Sequence, residues 1–261
     1  MTNTSALAVL VFADPNAKYC TSLCRFCAAP PWAGLQIMRY ALFGSLLGIC
    51  TVSTRAAQWS GYASIGSDYI YRGASLVDSA PSLQGGIEGR FDEHFIAGAS
   101  AVKIDHQWVY QVNVPDHLQL NFYTGAAFDC GTHCRTRLLV SRYVYPGAGT
   151  SNWSEATAAV AFYDRIGVSL SWSPHGLGSH EIVRSYESWL QEPLSRNTSL
   201  ELGYGRVLIG DLNYWYAHAG LSHRFDRFVV DLTEHWSDRG LQRFALDKHS
   251  RRLVLTISTG F

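Results

Sequence analysis

The chain has 261 residues, and its 21 Lys and Arg balance 21 Asp and Glu, so no bulk charge directs it to nucleic acid or to an acidic substrate. Tyr (14), Phe (12), Trp (8) and Gly (23) far outnumber Met (2), which favours aromatic, glycine-punctuated strands. Mean hydropathy is −0.02; this excludes a helical membrane protein but suits a barrel, whose strands give only alternate residues to lipid.

Residues 1–37 are expected to form no domain. Within them Cys20, Cys24 and Cys27, with Phe26, have the spacing by which radical S-adenosylmethionine enzymes hold three irons of a cluster. No alternation of strand and helix follows, as an α/β barrel would require, so the stretch reads as upstream sequence before a start at Met38. Met38-Arg39 then opens an apolar run over 40–52, interrupted by Ser45 and Thr51 and followed by Ser53-Thr54-Arg55-Ala56-Ala57. A basic start, a run of that length and a small-residue exit describe a secretory signal peptide over 38–56, cleaved after Ala56. The run is too short to cross a bilayer comfortably as a helix. Of the cysteines, Cys130 and Cys134 remain in the exported chain. An oxidising compartment makes them a disulfide stapling a turn, and His133 beside them lacks the further ligand a metal site needs. Neither metal nor cofactor is expected.

From Trp59 onward the pattern is repeated alternation broken by Gly, Pro, Asp, Asn and Ser. Strands are predicted at 59–72, 82–92, 95–104, 117–127, 136–145, 153–163, 166–173, 181–190, 198–208, 213–224, 227–236 and 251–261. An even number places both ends on one side, and the odd connections tend to be longer than the even ones, those around Cys130 and Pro193 excepted. The fold class is therefore all-β: a single antiparallel up-and-down transmembrane barrel of about twelve strands over 57–261, preceded by the signal peptide. Alternation assigns Leu83, Ile87, Phe91, Ile166, Val168, Leu170 and Trp172 to lipid, with Gln84, Ser169, Ser171, Tyr214, Tyr216 and His218 facing inward. Asp68 and Arg72, four apart on the first predicted strand, face the lumen together with Glu88, Arg90, Glu155, Glu201 and Asp231, and these seven are the candidate pore lining. Trp59, Tyr71, Tyr145, Trp172, Trp189 and Trp236 are expected at headgroup level. In the last strand Leu253, Leu255, Ile257 and Phe261 share one oily side, as in a closing strand that carries the assembly signal of an outer-membrane barrel. The edge strand of a soluble sandwich would show a similar alternation.

Ser67-Asp68-Tyr69-Ile70-Tyr71-Arg72-Gly73, followed by Pro81-Ser82-Leu83-Gln84-Gly85-Gly86, resembles the opening of the TorF-type putative porins, a conserved-hypothetical (Gcw_chp) family. Phe95-Ile96-Ala97-Gly98, Tyr143-Val144-Tyr145-Pro146-Gly147 and Trp153-Ser154-Glu155 extend the resemblance. The Cys130 to Cys134 loop, the segment from Gln107 to Pro115 and a cationic final hairpin depart from it. The resemblance implies an outer-membrane barrel in a Gram-negative bacterium with a porin-like role. The expected partners are outer-membrane lipid and lipopolysaccharide, the barrel-assembly machinery through the final strand, and small polar solutes. Two other readings stay open. The first is a closed structural or adhesion barrel using loops that carry Trp108, Tyr110 and Trp236. The second is a lipid hydrolase built on His218 and Ser222, which stand about 13 Å apart if both lie on one strand.

Overall fold

The computed structural model describes residues 57–104, 117–179, 181–245 and 249–261. The expectations for residues 1–56, including the signal peptide and Cys20, Cys24 and Cys27, lie outside these residues, as do Trp108 and Tyr110. In chain order the elements are β1 (Gln58–Gly66), β2 (Ile70–Tyr71), β3 (Ala74–Ser75), β4 (Ser82–Arg90), β5 (Phe95–Lys103), β6 (Leu118–Asp129) and β7 (Cys134–Val144), then β8 (Trp153–Phe162), β9 (Ile166–Ser173), β10 (Val183–Pro193), β11 (Thr198–Ile209), β12 (Leu212–Phe225), β13 (Phe228–Ser237), α1 (Arg239–Ala245) and β14 (Arg251–Gly260). Twelve strands close into one antiparallel barrel, while β2 and β3 form a separate hairpin.

Closure is made by β1 against β14, with Tyr62 opposite Gly260 and Ile65 opposite Ile257. Beyond that register Gly61 and Phe261 exchange both backbone hydrogen bonds, at 3.1 and 3.0 Å. A wall in hydrocarbon needs this, because an open strand edge would leave amides and carbonyls without water or partner. Alternation then sorts the side chains. Leu83, Val168, Leu170, Trp172, Leu255 and Ile257 are exposed on the outer surface, while Gln84, Asn121, Ser171 and Thr256 are buried inside. An apolar belt of this extent matches lipid.

On the rim that holds both ends of the barrel the connections are short: 91–94, 130–133, 163–165, 194–197 and 226–227. The turns at Cys130 and Pro193 are thus tighter than the sequence suggested, because β6 and β7 run on to Asp129 and back from Cys134, and β10 to Pro193. The opposite rim carries the longer connections, 67–81, 104–117, 145–152, 174–182 and 238–250, with one tight exception at Gly210-Asp211. Short turns inside and long loops outside identify the longer rim as extracellular.

The first strand is shorter than predicted. After Ser67 bonds the Leu255 carbonyl at 2.8 Å the chain leaves the wall. It turns at Arg72 (φ 49°) and Gly73 (φ 82°), left-handed conformations that no strand contains. The β2–β3 hairpin therefore lies in the barrel interior, where Tyr71 (3% exposed), Ala74, Leu76 and Val77 join Tyr143, Trp153 and Leu241 in one apolar core. Tyr71 and Tyr145 thus belong to this core and not to the headgroup belt, unlike the exposed Trp59 and Trp172. Trp189 is also turned inward, over Gly167 on the neighbouring strand.

Several inward aromatic rings use a glycine directly across the ladder as a seat: Tyr123 on Gly98, Trp189 on Gly167, and His218 on Gly203 and Tyr216 on Gly205. A Cβ at any of these glycines would collide with the ring. Gly205→Ala is therefore expected to destabilise the barrel by about 1–3 kcal/mol through overpacking, read as a lower urea midpoint in phospholipid vesicles. Gly149→Ala, where an added Cβ meets only Asn152 at 4.0 Å, is expected to change stability by less than about 0.5 kcal/mol.

Candidate functional site

The candidate site is the lumen and the hairpin inside it. The hairpin's own backbone bonds run from Leu76 N–H to the Tyr69 carbonyl (2.9 Å) and from Ala80 N–H to that of Val77 (3.0 Å). Its tip is tied to the wall through side chains. The Arg72 guanidinium donates two bonds to the Glu155 carboxylate on β8, at 2.7 and 2.9 Å. Its Nε reaches Glu187 on β10 at 3.4 Å, and the Tyr216 hydroxyl of β12 donates to the same Glu187 oxygen. One arginine thus joins two wall strands, β8 and β10, that flank β9, and the paired fork geometry is the strongest available to it. Burial alone would pull the Arg72 guanidinium down, but Glu155, Tyr71 and Glu187 around it hold it well above its usual range.

A second tie lies at the base of the hairpin. Asp68 accepts from its neighbour's Tyr69 N–H (2.7 Å), from the Ser75 hydroxyl (2.6 Å) and from Arg252 on β14 (3.2 Å). In the apolar core Tyr143 and Trp153 stack with ring centroids 3.9 Å apart. The Trp153 indole donates to the Tyr145 hydroxyl at 3.5 Å, and burial pushes the Tyr145 phenol up to about 12. The Tyr69 phenol is raised for the same reason. Deeper in the barrel Glu88 accepts from Tyr123 (3.0 Å) and from Arg137 (2.6 Å). Towards the periplasmic end lie Glu201, His218 and Asp231, all buried. A cavity of about 10 Å³ lies between Tyr62, Tyr69, Gln84 and Asn121. Another, of about 20 Å³, lies between Glu187, Trp189, Glu201 and His218. Each has room for about one water molecule.

The predicted pore-lining residues therefore separate into groups. Asp68 and Arg72 leave the wall and enter the lumen on the hairpin. Glu155 meets Arg72, whereas Glu88, Glu201 and Asp231 line the wall away from it. Arg90 has the inward parity of Glu88 but is exposed at the end of β4, on the periplasmic rim. Sequence reasoning missed Glu187 and Arg137, and placed Arg252 only in a cationic hairpin. Alternation could have found the first two, since Tyr186 and Leu138 beside them face outward. Cys130 and Cys134 form a disulfide across the 130–133 turn. His218 and Ser222 do not meet across the ladder: His218 stands opposite Gly203 and His235, and Ser222 opposite Ser199 and Asp231.

A family model described as "Bacterial protein of unknown function (Gcw_chp)" matches residues 53–232. The chain belongs to that family. No curated protein matches this Gcw_chp chain. Among solved structures it is similar to the KdgM porin in complex with disordered oligogalacturonate, at 8% identity and a TM-score of 0.52, over 78% of this chain and 99% of that one. The NanC porin gives 6% and 0.49, over 78% and 99%. The COG4313 outer membrane channel from Pseudomonas putida F1 gives 9% and 0.45, over 77% and 94%. The first of these shares the fold of the closed wall described above. This Gcw_chp protein is a closed twelve-stranded barrel with an apolar outer belt, and such a barrel belongs in the outer membrane of a Gram-negative bacterium.

Removing Arg72 would leave Glu155, 2% exposed, as an uncompensated buried charge, at a cost of about 3–5 kcal/mol to the inserted state. In Arg72→Ala the hairpin is expected to leave the lumen. A cysteine at Ala74, which is 0% exposed, should then react with a water-soluble maleimide that does not label the Ala74→Cys single variant. Equal labelling in both would show that Arg72 does not hold the hairpin.

Proposed function

We propose that the protein passes small hydrophilic solutes or ions passively through its charged lumen, and that the hairpin over 67–81 limits how often and how widely the path opens. The observation that carries this reading is the manner of the hairpin's attachment. Beyond Ser67, which bonds Leu255 of β14, its backbone bonds are internal and its ties to the wall are side-chain ones, so residues 68–81 can withdraw while every rung of the barrel stays intact. Buried ionised groups in a membrane protein are costly and mark pathways more often than fillers.

Away from the periplasmic rim, where Arg90, Arg135 and Arg224 also have inward parity, Asp68, Glu88, Glu155, Glu187, Glu201 and Asp231 face the lumen against Arg72, Arg137 and Arg252 among the described residues. Without the hairpin, Asp68 and Arg72 leave together and the imbalance persists. Small cations are therefore the favoured traffic, since a carboxylate-lined passage attracts them and repels anions. Oligogalacturonate, which the KdgM structure contains, is a polyanion, so the lumen charge argues against carrying that ligand over. The same reading keeps Leu253, Leu255, Ile257 and Phe261 as the signal taken by the barrel-assembly machinery.

The packed core around Tyr71 and Trp153 supports a second reading, a closed structural barrel. Planar-bilayer recording in a KCl gradient separates the two. Brief, small openings are expected of the wild type and larger ones of Arg72→Ala, with a reversal potential displaced towards that of K⁺. Silence of both proteins at every potential would favour the closed barrel.

A further inference from the structure

The outward face of the wall distributes its charges unevenly. Lys103 ends β5, Arg142 is third from the end of β7, Arg184 is second in β10, Arg206 is fourth from the end of β11, and Arg251 begins β14. All five lie at the extracellular ends of their strands. The outward carboxylate at that level is Glu234, which Arg251 engages. At the periplasmic end the outward face carries Glu192, joined to Arg165 at 3.5 Å. Between the two levels the outward positions of the wall strands are uncharged, as hydrocarbon requires.

The cations are densest on β9 to β12, and there they alternate with aromatic rings. Arg184 stands directly opposite Trp172. Arg206 stands opposite Tyr186 on one side and Trp215 on the other. Arg184 and Arg206 are diagonal neighbours on adjacent strands, within reach of one anion for side chains of their length. Both are exposed, and so are Trp172 (46%), Tyr186 (45%) and Trp215 (40%). Arg206 also donates to the Asn213 amide oxygen at 3.3 Å, which steadies its fork on the surface. Two guanidiniums framed by indole and phenol rings, placed where hydrocarbon gives way to headgroups, present bidentate donors to phosphate and flat apolar faces to acyl chains.

We propose that this patch binds the phosphates of a lipopolysaccharide molecule in the outer leaflet, with Arg184 and Arg206 as the phosphate ligands and Trp172, Tyr186 and Trp215 as supports for its acyl chains. The site lies on the outside of the wall and does not depend on whether the lumen conducts.

The test uses the folded protein in phosphatidylcholine nanodiscs, with heat-modifiable gel mobility as the check that each variant is a closed barrel. Rough lipopolysaccharide and the same lipid stripped of phosphate by phosphatase are titrated in parallel, and bound lipid is counted by native mass spectrometry. The wild type is expected to bind the phosphorylated lipid about tenfold more tightly than the stripped one, and Arg184→Gln/Arg206→Gln to lose about that factor. Arg206→Gln alone, a single exposed change, should show part of the loss. Equal binding of both lipids, undiminished binding by the folded variants, or displacement of the lipid by millimolar inorganic phosphate would overturn the assignment.

Discussion

The pairing of the first wall strand with the last governs everything else in this protein. Hydrocarbon offers no partner to a backbone amide or carbonyl, so the sheet must return on itself. Gly61 and Phe261 complete that return. Once the wall is closed, each strand has one face for lipid and one for the interior, and every polar or surplus group must go inside or to the rims. The interior of a twelve-stranded wall is then a space that the chain itself has to furnish. It does so with rings seated on cross-strand glycines, with ionised side chains, and with a hairpin from its own first extracellular connection.

The furnishing follows a vertical order. On the extracellular side an apolar core built on Tyr143, Trp153 and the hairpin fills the barrel. Below it Arg72 is held between Glu155 and Glu187, and the lower wall carries Glu201, His218 and Asp231. Packing interactions are non-directional, whereas the charged ties are specific in geometry, so the apolar layer and the arginine fork both hold the insert and the fork alone gives it a defined seat. A hairpin built this way is bound to the wall more weakly than a strand would be, because it contributes nothing to the ladder.

The wall was legible in the sequence because period-two alternation is a strong local signal and lipid enforces it along every strand. Leu253, Leu255 and Ile257 show it plainly, and all three are exposed. The hairpin was not legible. Asp68, Ile70 and Arg72 alternate with Tyr69 and Tyr71 as a strand would, and only the Arg72-Gly73 pair signals a turn. What decides the conformation there is Glu155 and Glu187, 83 and 115 residues away, and no local pattern carries that information. Arg251 and Arg252 make the same point at short range. They are adjacent and chemically identical, yet the first faces outward to Glu234 and the second inward to Asp68, because the register of β14 against β13 fixes their parity.

That parity also explains how one strand serves two environments. On β10 Arg184 faces out and Glu187 faces in, three residues apart and on opposite sides of a sheet one residue thick. At the proposed site the outer surface near the extracellular rim meets lipid phosphate, where a cation is stabilised and a carboxylate repelled. The inner surface carries the Arg72 guanidinium, where a carboxylate has a partner and a further arginine would crowd the hairpin. A barrel wall therefore separates charge by sign across its thickness while keeping the whole chain near neutrality, and the balanced composition of the sequence conceals a molecule that is basic on its outer face near the extracellular rim and acidic in the middle of its lumen.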